Sequence, residues 1–162
     1  MDRLKDRVAI VTGAGQGIGA GVARALAAEG AAVVVANRTE KTGREVADGI
    51  ERDFGAAGAK ALFVETDVAN EDSVHALVAT TVADLGGVDI LINNATPAGG
   101  GERLENMSHE LIEQHVRVNY YAAFWGMQAV FPNMRQQQWG RIITMCSLNG
   151  VNAHQHIIEY HN

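Results

Sequence analysis

The 162-residue sequence predicts an α/β fold in which one parallel sheet is covered by helices on both faces. Short runs rich in Val, Ile and Ala alternate along the chain with longer amphipathic stretches, as they do in βαβ units. The short runs are apolar throughout, which is typical of parallel strands that are buried on both faces. Only two prolines occur and no Pro- or Ser-rich linker divides the chain, so residues 1–162 are predicted to form a single domain.

Five predicted strands alternate with four predicted helices along the chain. The strands cover residues 8–11, 32–36, 61–64, 88–92 and 141–145. The helices cover residues 18–29, 40–54, 71–85 and 108 to about 137. Gly30 and Gly86 are typical helix stops, and Asn70 is the predicted N-cap of the third helix. With right-handed crossovers, this order gives a Rossmann-type, doubly wound sheet that binds ligands at the carboxyl ends of its strands.

The charge and hydropathy of the chain exclude several classes of function. Thirteen Lys and Arg against nineteen Asp and Glu give a net charge of −6 and a pI near 5.4. An acidic chain of this kind favours neither nucleic acid nor an anionic membrane, so no such partner is predicted. No apolar run is long enough to span a bilayer, and the N-terminus lacks the apolar core of a signal peptide. The predicted location is therefore the cytoplasm.

The cysteine and histidine content argues against a metal site. Cys146 is the single cysteine, which excludes a disulfide scaffold and a Cys-rich zinc module. We interpret its side chain as a small buried hydrophobe. His154 and His156 lie two residues apart, with no third ligand at a recognised spacing. The sequence therefore predicts no metal.

A glycine-rich turn follows the first strand and leads directly into the first helix. Glycines in such a turn let the backbone approach a pyrophosphate, toward which the helix N-terminus points. A tight turn without a ligand is the alternative, but the position between strand and helix favours cofactor binding. The residues predicted to bind the cofactor here are Gly13, Gly15, Gln16, Gly17, Ile18 and Gly19.

The residues after the second strand bear on the choice of dinucleotide. Domains that prefer NAD usually place an acidic residue here, where it binds the ribose 2′-hydroxyl. This chain has Asn37 followed by Arg38, and an arginine is suited to pair with a 2′-phosphate. The alternative is an exposed arginine at the start of the second helix. The predicted cofactor is NADP, with NAD as the second choice.

Polar residues also follow the later strands. Asp67, with Val68 beside it, could accept a hydrogen bond from an adenine amino group or cap the next helix. Asn93 and Asn94 leave a central strand, where paired amides can tie neighbouring strands together and line a ribose pocket. Cys146 and Ser147 follow the fifth strand.

Together these motifs resemble the classical short-chain dehydrogenase/reductase family. Residues 12–19 match its TGxxxGIG pattern, residues 67–68 its adenine-ring position and residues 93–95 the first three of its NNAG motif. Three more positions match the family's catalytic residues, with Tyr160 thirteen residues beyond Ser147: Asn119, Ser147 and Tyr160. The match covers the whole chain in the family's order and spacing.

The resemblance implies hydride transfer between NADP(H), or NAD(H), and a small carbonyl or secondary alcohol. Tyr160 would act as the general acid or base and would also contact the cofactor, as would Asn94 and Ala95. Ser147 would hydrogen-bond the substrate oxygen, and Asn119 would support a proton relay by bending its helix locally. The family also implies a homo-oligomer built on the aromatic helix, with a core location as the alternative for its aromatic residues, which are Tyr120, Tyr121, Phe124 and Trp125.

Two positions depart from the family pattern. Thr96 replaces the last glycine of NNAG, and the lysine of Tyr-x-x-x-Lys would fall two residues beyond Asn162. We therefore expect a truncated Rossmann domain with its C-terminal portion missing, a bare apolar face at the fifth strand, and impaired turnover by this chain alone. A dinucleotide-binding module without turnover, with a regulatory or assembly role, is the alternative function.

Overall fold

The computed structural model describes residues 2–97 and 103–147, which form a five-stranded parallel sheet. Its strands are β1 (Val8–Thr12), β2 (Ala32–Asn37), β3 (Ala61–Glu65), β4 (Ile90–Asn93) and β5 (Arg141–Thr144). Its α-helices are α1 (Gly17–Ala28), α2 (Glu40–Phe54), α3 (Glu71–Leu85), α4 (His109–Val116) and α5 (Ala122–Gln136). Short 3-10 turns cover Gly55–Ala57 and Leu104–Asn106. The strand order β3-β2-β1-β4-β5 is that of a Rossmann-type sheet, which confirms the predicted fold class.

The sheet is buried on both faces over its three central strands. One face packs against α1 and α2, around a cluster that includes Ala9, Val11 and Ile50. The other face packs against α3 and α5, around a cluster that includes Ile10 and Leu91. Neighbouring residues of β1 thus enter opposite cores, because successive side chains of a strand point to opposite faces.

The long predicted helix over 108–137 consists of three segments. Ser108 caps α4 by accepting a hydrogen bond from the backbone of Leu111. A π-helical turn, Arg117–Tyr121, joins α4 to α5, and the Ala122 N–H donates to the carbonyl of Arg117 five residues back. The chain is therefore helical as predicted, but wound more widely around Asn119.

The fifth strand differs from the central strands in its exposure. All four residues of β5 are exposed, including Ile143, which keeps 48% of its surface accessible. Within residues 2–97 and 103–147, this agrees with the exposed apolar surface expected at the fifth strand. The interpretation of Cys146 as a buried residue is wrong, because the side chain is exposed just beyond this uncovered strand.

The aromatic residues around the π turn lie largely outside the core. Tyr120 is 65% exposed, and Tyr121 and Phe124 are also exposed, whereas Trp125 is half-buried. The rings of Tyr121 and Trp125 stack with centroids 5.6 Å apart. A core location is therefore excluded for the three exposed rings, and the oligomer built on this helix stays a prediction. No helix in the described ranges is both long enough and apolar enough to cross a bilayer.

An ion pair joins β1 to β4 at the amino ends of the strands. Asp89 precedes β4, and its carboxylate accepts from the Arg7 guanidinium at 2.8 Å and from the Val8 backbone N–H at 2.9 Å. The Arg7 guanidinium also lies 3.8 Å from the centroid of the Trp139 ring, in a cation–π contact. β4 begins just after this pair, at Ile90 rather than at the predicted residue 88.

Candidate cofactor-binding and active site

A cavity of about 860 Å³ opens at the carboxyl ends of the strands, where a doubly wound sheet is expected to bind ligands. Most of the predicted cofactor-binding positions and two of the predicted catalytic positions line it. The predicted residues on its wall are Gly13, Gln16, Gly17, Ile18, Gly19, Asn37, Arg38, Asp67, Val68, Asn94, Ala95, Asn119 and Ser147. Gly15 lies behind this wall, against the side chain of Asn37. Tyr160 lies outside the described residues, as do the histidines near the end of the chain.

The glycine-rich turn has the geometry of a phosphate cradle. Gly13 and Gly17 have φ angles of +64° and +55°, a region that favours glycine. A Cβ on Gly13 would lie 2.8 Å from the Ala95 Cα, and one on Gly19 would lie 2.5 Å from the Gly13 carbonyl oxygen. Gln16 precedes α1 without a side-chain capping bond, so the first N–H groups of that helix are available to an anion. The turn therefore fits the pyrophosphate of a dinucleotide.

Thr12 and Asn94 fix the distance between the glycine-rich turn and the end of β4. The Thr12 hydroxyl accepts from the backbone N–H groups of Asn94 and Ala95, at 3.0 and 3.1 Å. The Asn94 side chain donates to the Thr12 carbonyl at 2.9 Å, and the Asn93 side chain donates to Thr144 of β5 at 3.3 Å. The two amides thus tie β4 to both of its neighbours, as predicted for paired amides at a strand end.

The end of β2 presents a neutral amide and a cation to the cavity. Arg38 is exposed, and it forms no ion pair or hydrogen bond with any residue in 2–97 or 103–147. The amide of Asn37, by contrast, is held by the first turn of α2, where it donates to Thr39 and Thr42. Among the residues described, Arg38 is therefore a cation on the cavity wall that has no ion-pair partner.

The structure excludes one of the two sequence interpretations of Asp67. Asn70 caps α3, since its side chain accepts from the Ser73 N–H at 3.1 Å. Asp67 instead stabilises its own turn, because one carboxylate oxygen accepts from the Ala69 N–H at 3.0 Å. Asp67 is therefore not the helix cap, and its position on the cavity wall agrees with the adenine-binding alternative.

The two described catalytic candidates approach the same cavity from different elements. Asn119 lies at the centre of the π turn, and Ser147 follows β5. π turns inside helices often occur at functional sites, because they change the direction of side chains and backbone carbonyls locally. Within 2–97 and 103–147, no group of three His, Cys, Asp or Glu side chains is placed to hold a metal ion.

Thr42 and Gln114 are among the residues of the cavity wall that were not predicted from the sequence. Thr42 lies in the first turn of α2, five residues beyond Asn37. A hydroxyl residue in the first turn of the helix that follows β2 is the sequence signal that would have indicated it. Gln114 lies near the end of α4, and no sequence pattern distinguishes it from the polar residues around it.

A doubly wound sheet with a phosphate cradle at the end of β1 defines a nucleotide-binding α/β protein. The family model described as short chain dehydrogenase matches residues 7–161, so this chain belongs to that family of oxidoreductases. It is 34% identical over 153 residues to 1,6-dihydroxycyclohexa-2,4-diene-1-carboxylate dehydrogenase of Acinetobacter baylyi. This match covers 94% of this chain and 57% of that protein. It is 36% identical over 152 residues to trans-4-hydroxycyclohexanecarboxylate dehydrogenase of Sinomonas cyclohexanicum. This second match covers 93% of this chain and 58% of that protein.

Solved structures agree with this family assignment. A short-chain type dehydrogenase/reductase from Mycobacterium marinum superposes with a TM-score of 0.87 at 34% identity, over 97% of this chain and 63% of that one. A 7α-hydroxysteroid dehydrogenase complexed with NADH and 7-oxo glycochenodeoxycholic acid superposes with a TM-score of 0.86 at 30% identity, over 98% of this chain and 60% of that one. The chain therefore spans less than two thirds of the length of these relatives.

Proposed function

We propose that this protein is an NADP(H)-dependent oxidoreductase, with NAD(H) as the second choice, that interconverts a carbonyl and a secondary alcohol. This proposal rests on one observation: the glycine-rich turn, Asn119 and Ser147 all line the same cavity. A structural glycine turn alone would not require polar residues from α4–α5 and β5 to converge on the same space. The family's oxidoreductases support the same reaction class.

Each part of the cavity has a proposed role. The cofactor supplies the hydride when it is bound, and the protein supplies position and protons. The α1 N-terminus and its glycines hold the pyrophosphate, Asp67 and Val68 border the adenine, and Asn94 and Ala95 border the ribose. Ser147 hydrogen-bonds the substrate oxygen, while Tyr160 donates or accepts the proton, a role that rests on the family pattern.

Replacement of Arg38 tests the cofactor preference. We expect Arg38→Ala to weaken NADPH binding about 10- to 100-fold, since a hydrogen-bonded charge pair contributes about 1.5–3 kcal/mol. NADH binding should change less than about twofold, because NADH has no 2′-phosphate for the arginine to bind. Titration of each dinucleotide against the purified chain, followed by nicotinamide fluorescence, measures both values.

Arg44→Ala is the matched control for this substitution. Arg44 lies on α2, six residues beyond Arg38, but it pairs with Glu40 at 2.7 Å and does not line the cavity. It should leave both affinities unchanged. If Arg38→Ala weakened NADH and NADPH equally, the arginine would not read the phosphate. If the unaltered chain bound neither dinucleotide, the proposed cofactor role of the cavity would be wrong for this chain.

The reaction class is tested with alcohols and ketones on six-membered rings. Both named relatives act on hydroxylated cyclohexane or cyclohexadiene carboxylates, and the steroid enzyme was crystallised with a 7-oxo ligand. We propose cyclic secondary alcohols and their ketones as the first substrates to assay, by the absorbance of NADPH. The cytoplasmic location and the homo-oligomer remain predictions.

A further inference from the structure

The hydrogen bonds around Asn37 fix the orientation of its side-chain amide. Its Nδ2 donates to the backbone oxygen of Thr39 at 2.9 Å and to the hydroxyl oxygen of Thr42 at 3.0 Å. The Thr42 hydroxyl in turn donates to the same Thr39 oxygen at 3.2 Å. A backbone oxygen can only accept, so the amide nitrogen rather than the amide oxygen must face Thr39. The three residues form a closed ring of hydrogen bonds.

Within this ring, the Asn37 side chain can offer a ligand only its oxygen, Oδ1, as a hydrogen-bond acceptor. An amide nitrogen carries two hydrogens, and both are engaged by Thr39 and Thr42. The Asn37 Oδ1 has no hydrogen-bond partner among residues 2–97 and 103–147, and Asn37 lines the cavity. Gly15 packs against this arrangement: a Cβ there would collide with the Asn37 amide and lie 2.8 Å from the Thr42 hydroxyl. The glycine-rich turn, through Gly15, therefore also restrains the position of the Asn37 amide.

Asn37 and Arg38 then favour different dinucleotides. A ribose 2′-hydroxyl can donate to the Asn37 Oδ1, whereas a 2′-phosphate offers mainly acceptor oxygens at neutral pH. Arg38, next along the chain, has the opposite preference because its guanidinium pairs with phosphate. Arg38 is therefore suited to a ribose with a 2′-phosphate, and the Asn37 Oδ1 is suited to a ribose with a free 2′-hydroxyl.

We propose that Thr42 is a positioning residue that orients the Asn37 amide to accept from a 2′-hydroxyl, so that the site holds NAD(H) as well as NADP(H). The inference rests on the proposed cofactor role of the cavity. Thr42 acts through Asn37 rather than by contact with the dinucleotide. Its loss should therefore weaken NAD(H) binding selectively, since the contact between Arg38 and a 2′-phosphate does not depend on it.

Dissociation constants for NADH and NADPH, measured by fluorescence titration, test the proposal without any need for turnover. Thr42→Val keeps the shape of the side chain and removes the hydroxyl. We expect NADH affinity to fall about fivefold, the effect of one hydrogen bond, while NADPH affinity changes less than twofold. Thr42→Ser should restore the original ratio of the two affinities. Thr80→Val, an equivalent change at an exposed position of α3, should alter neither affinity.

A double-mutant cycle shows whether Thr42 acts through Asn37. In an Asn37→Ala background the amide is absent, so Thr42→Val should change NADH affinity by less than about twofold. Equal losses for both dinucleotides in Thr42→Val, or an unchanged ratio, would overturn the proposal, as would a full effect in the Asn37→Ala background. Absence of binding by the unaltered chain would instead contradict the proposed function itself.

Discussion

Gly19→Ala should abolish tight dinucleotide binding and destabilise the fold. The new Cβ would lie 2.5 Å from both the Gly13 carbonyl oxygen and the Asn94 amide nitrogen. One of these contacts is backbone, so the glycine-rich turn itself must move. Overpacking of this kind costs about 1–3 kcal/mol of stability. We expect NADPH affinity to fall more than about tenfold, measured by fluorescence titration, together with a lower midpoint of urea unfolding.

Gly21→Ala provides a control in the same helix with an effect of opposite sign. Gly21 lies two residues further along α1, is exposed, and has open space where its Cβ would be. Alanine there should stabilise the protein by about 0.5–1 kcal/mol, because it removes the entropic cost of a helical glycine. If Gly19→Ala were as well tolerated as Gly21→Ala, the close contact of α1 with the ends of β1 and β4 would not be needed for binding.

Asp89→Asn should strongly destabilise the protein, although Asp89 lies outside the cofactor cavity. The carboxylate is 10% exposed and accepts from both Arg7 and the Val8 N–H. Breaking a buried ion pair costs about 3–5 kcal/mol, but the Arg7 side chain is 36% exposed, so we expect about 2–3 kcal/mol. Urea unfolding at two salt concentrations measures the loss, which should depend little on salt because the pair is partly shielded from solvent.

Glu40→Gln is the corresponding change in an exposed ion pair. Glu40 and Arg44 lie one helical turn apart at 2.7 Å, with both side chains more than half exposed. Such pairs contribute about 0.5 kcal/mol or less, so this variant should unfold almost as the unaltered protein does. Similar losses from the two variants would show that the Asp89 carboxylate contributes no more than a surface charge.

The sequence was sufficient to predict the parts of the fold and site that follow from chain order. Strands of a parallel sheet end at one edge, so a turn after β1 and amides after β4 must meet there. This is why Gly13 and Asn94, 81 residues apart, could be placed together, and they lie within 3.4 Å of each other. Asn119 reached the same cavity because its helix crosses back over the sheet between β4 and β5.

Details that depend on hydrogen-bond geometry or on burial were beyond sequence reasoning. The ring formed by Asn37, Thr39 and Thr42 depends on the first turn of α2, which a strand–helix boundary does not specify. The π turn has the same apolar pattern as a regular helix, so periodicity did not predict it, although the family resemblance implied a local bend at Asn119. Cys146 was misjudged because residue type alone indicated burial, whereas the exposure of β5 depends on which elements cover that part of the sheet.

The strand order also determines when the cavity forms during folding. β1, β2 and β3 follow one another along the chain and can pair through short connections, whereas β1 must wait for β4, which lies about 80 residues away. Closing a loop of that length loses more chain entropy, so the β1–β4 pairing should form late on the folding pathway. The ligand cavity is lined by residues from the ends of both β1 and β4, the two strands that are expected to pair late. A dinucleotide that binds there stabilises the last contacts to assemble, and it should slow unfolding more than it speeds folding.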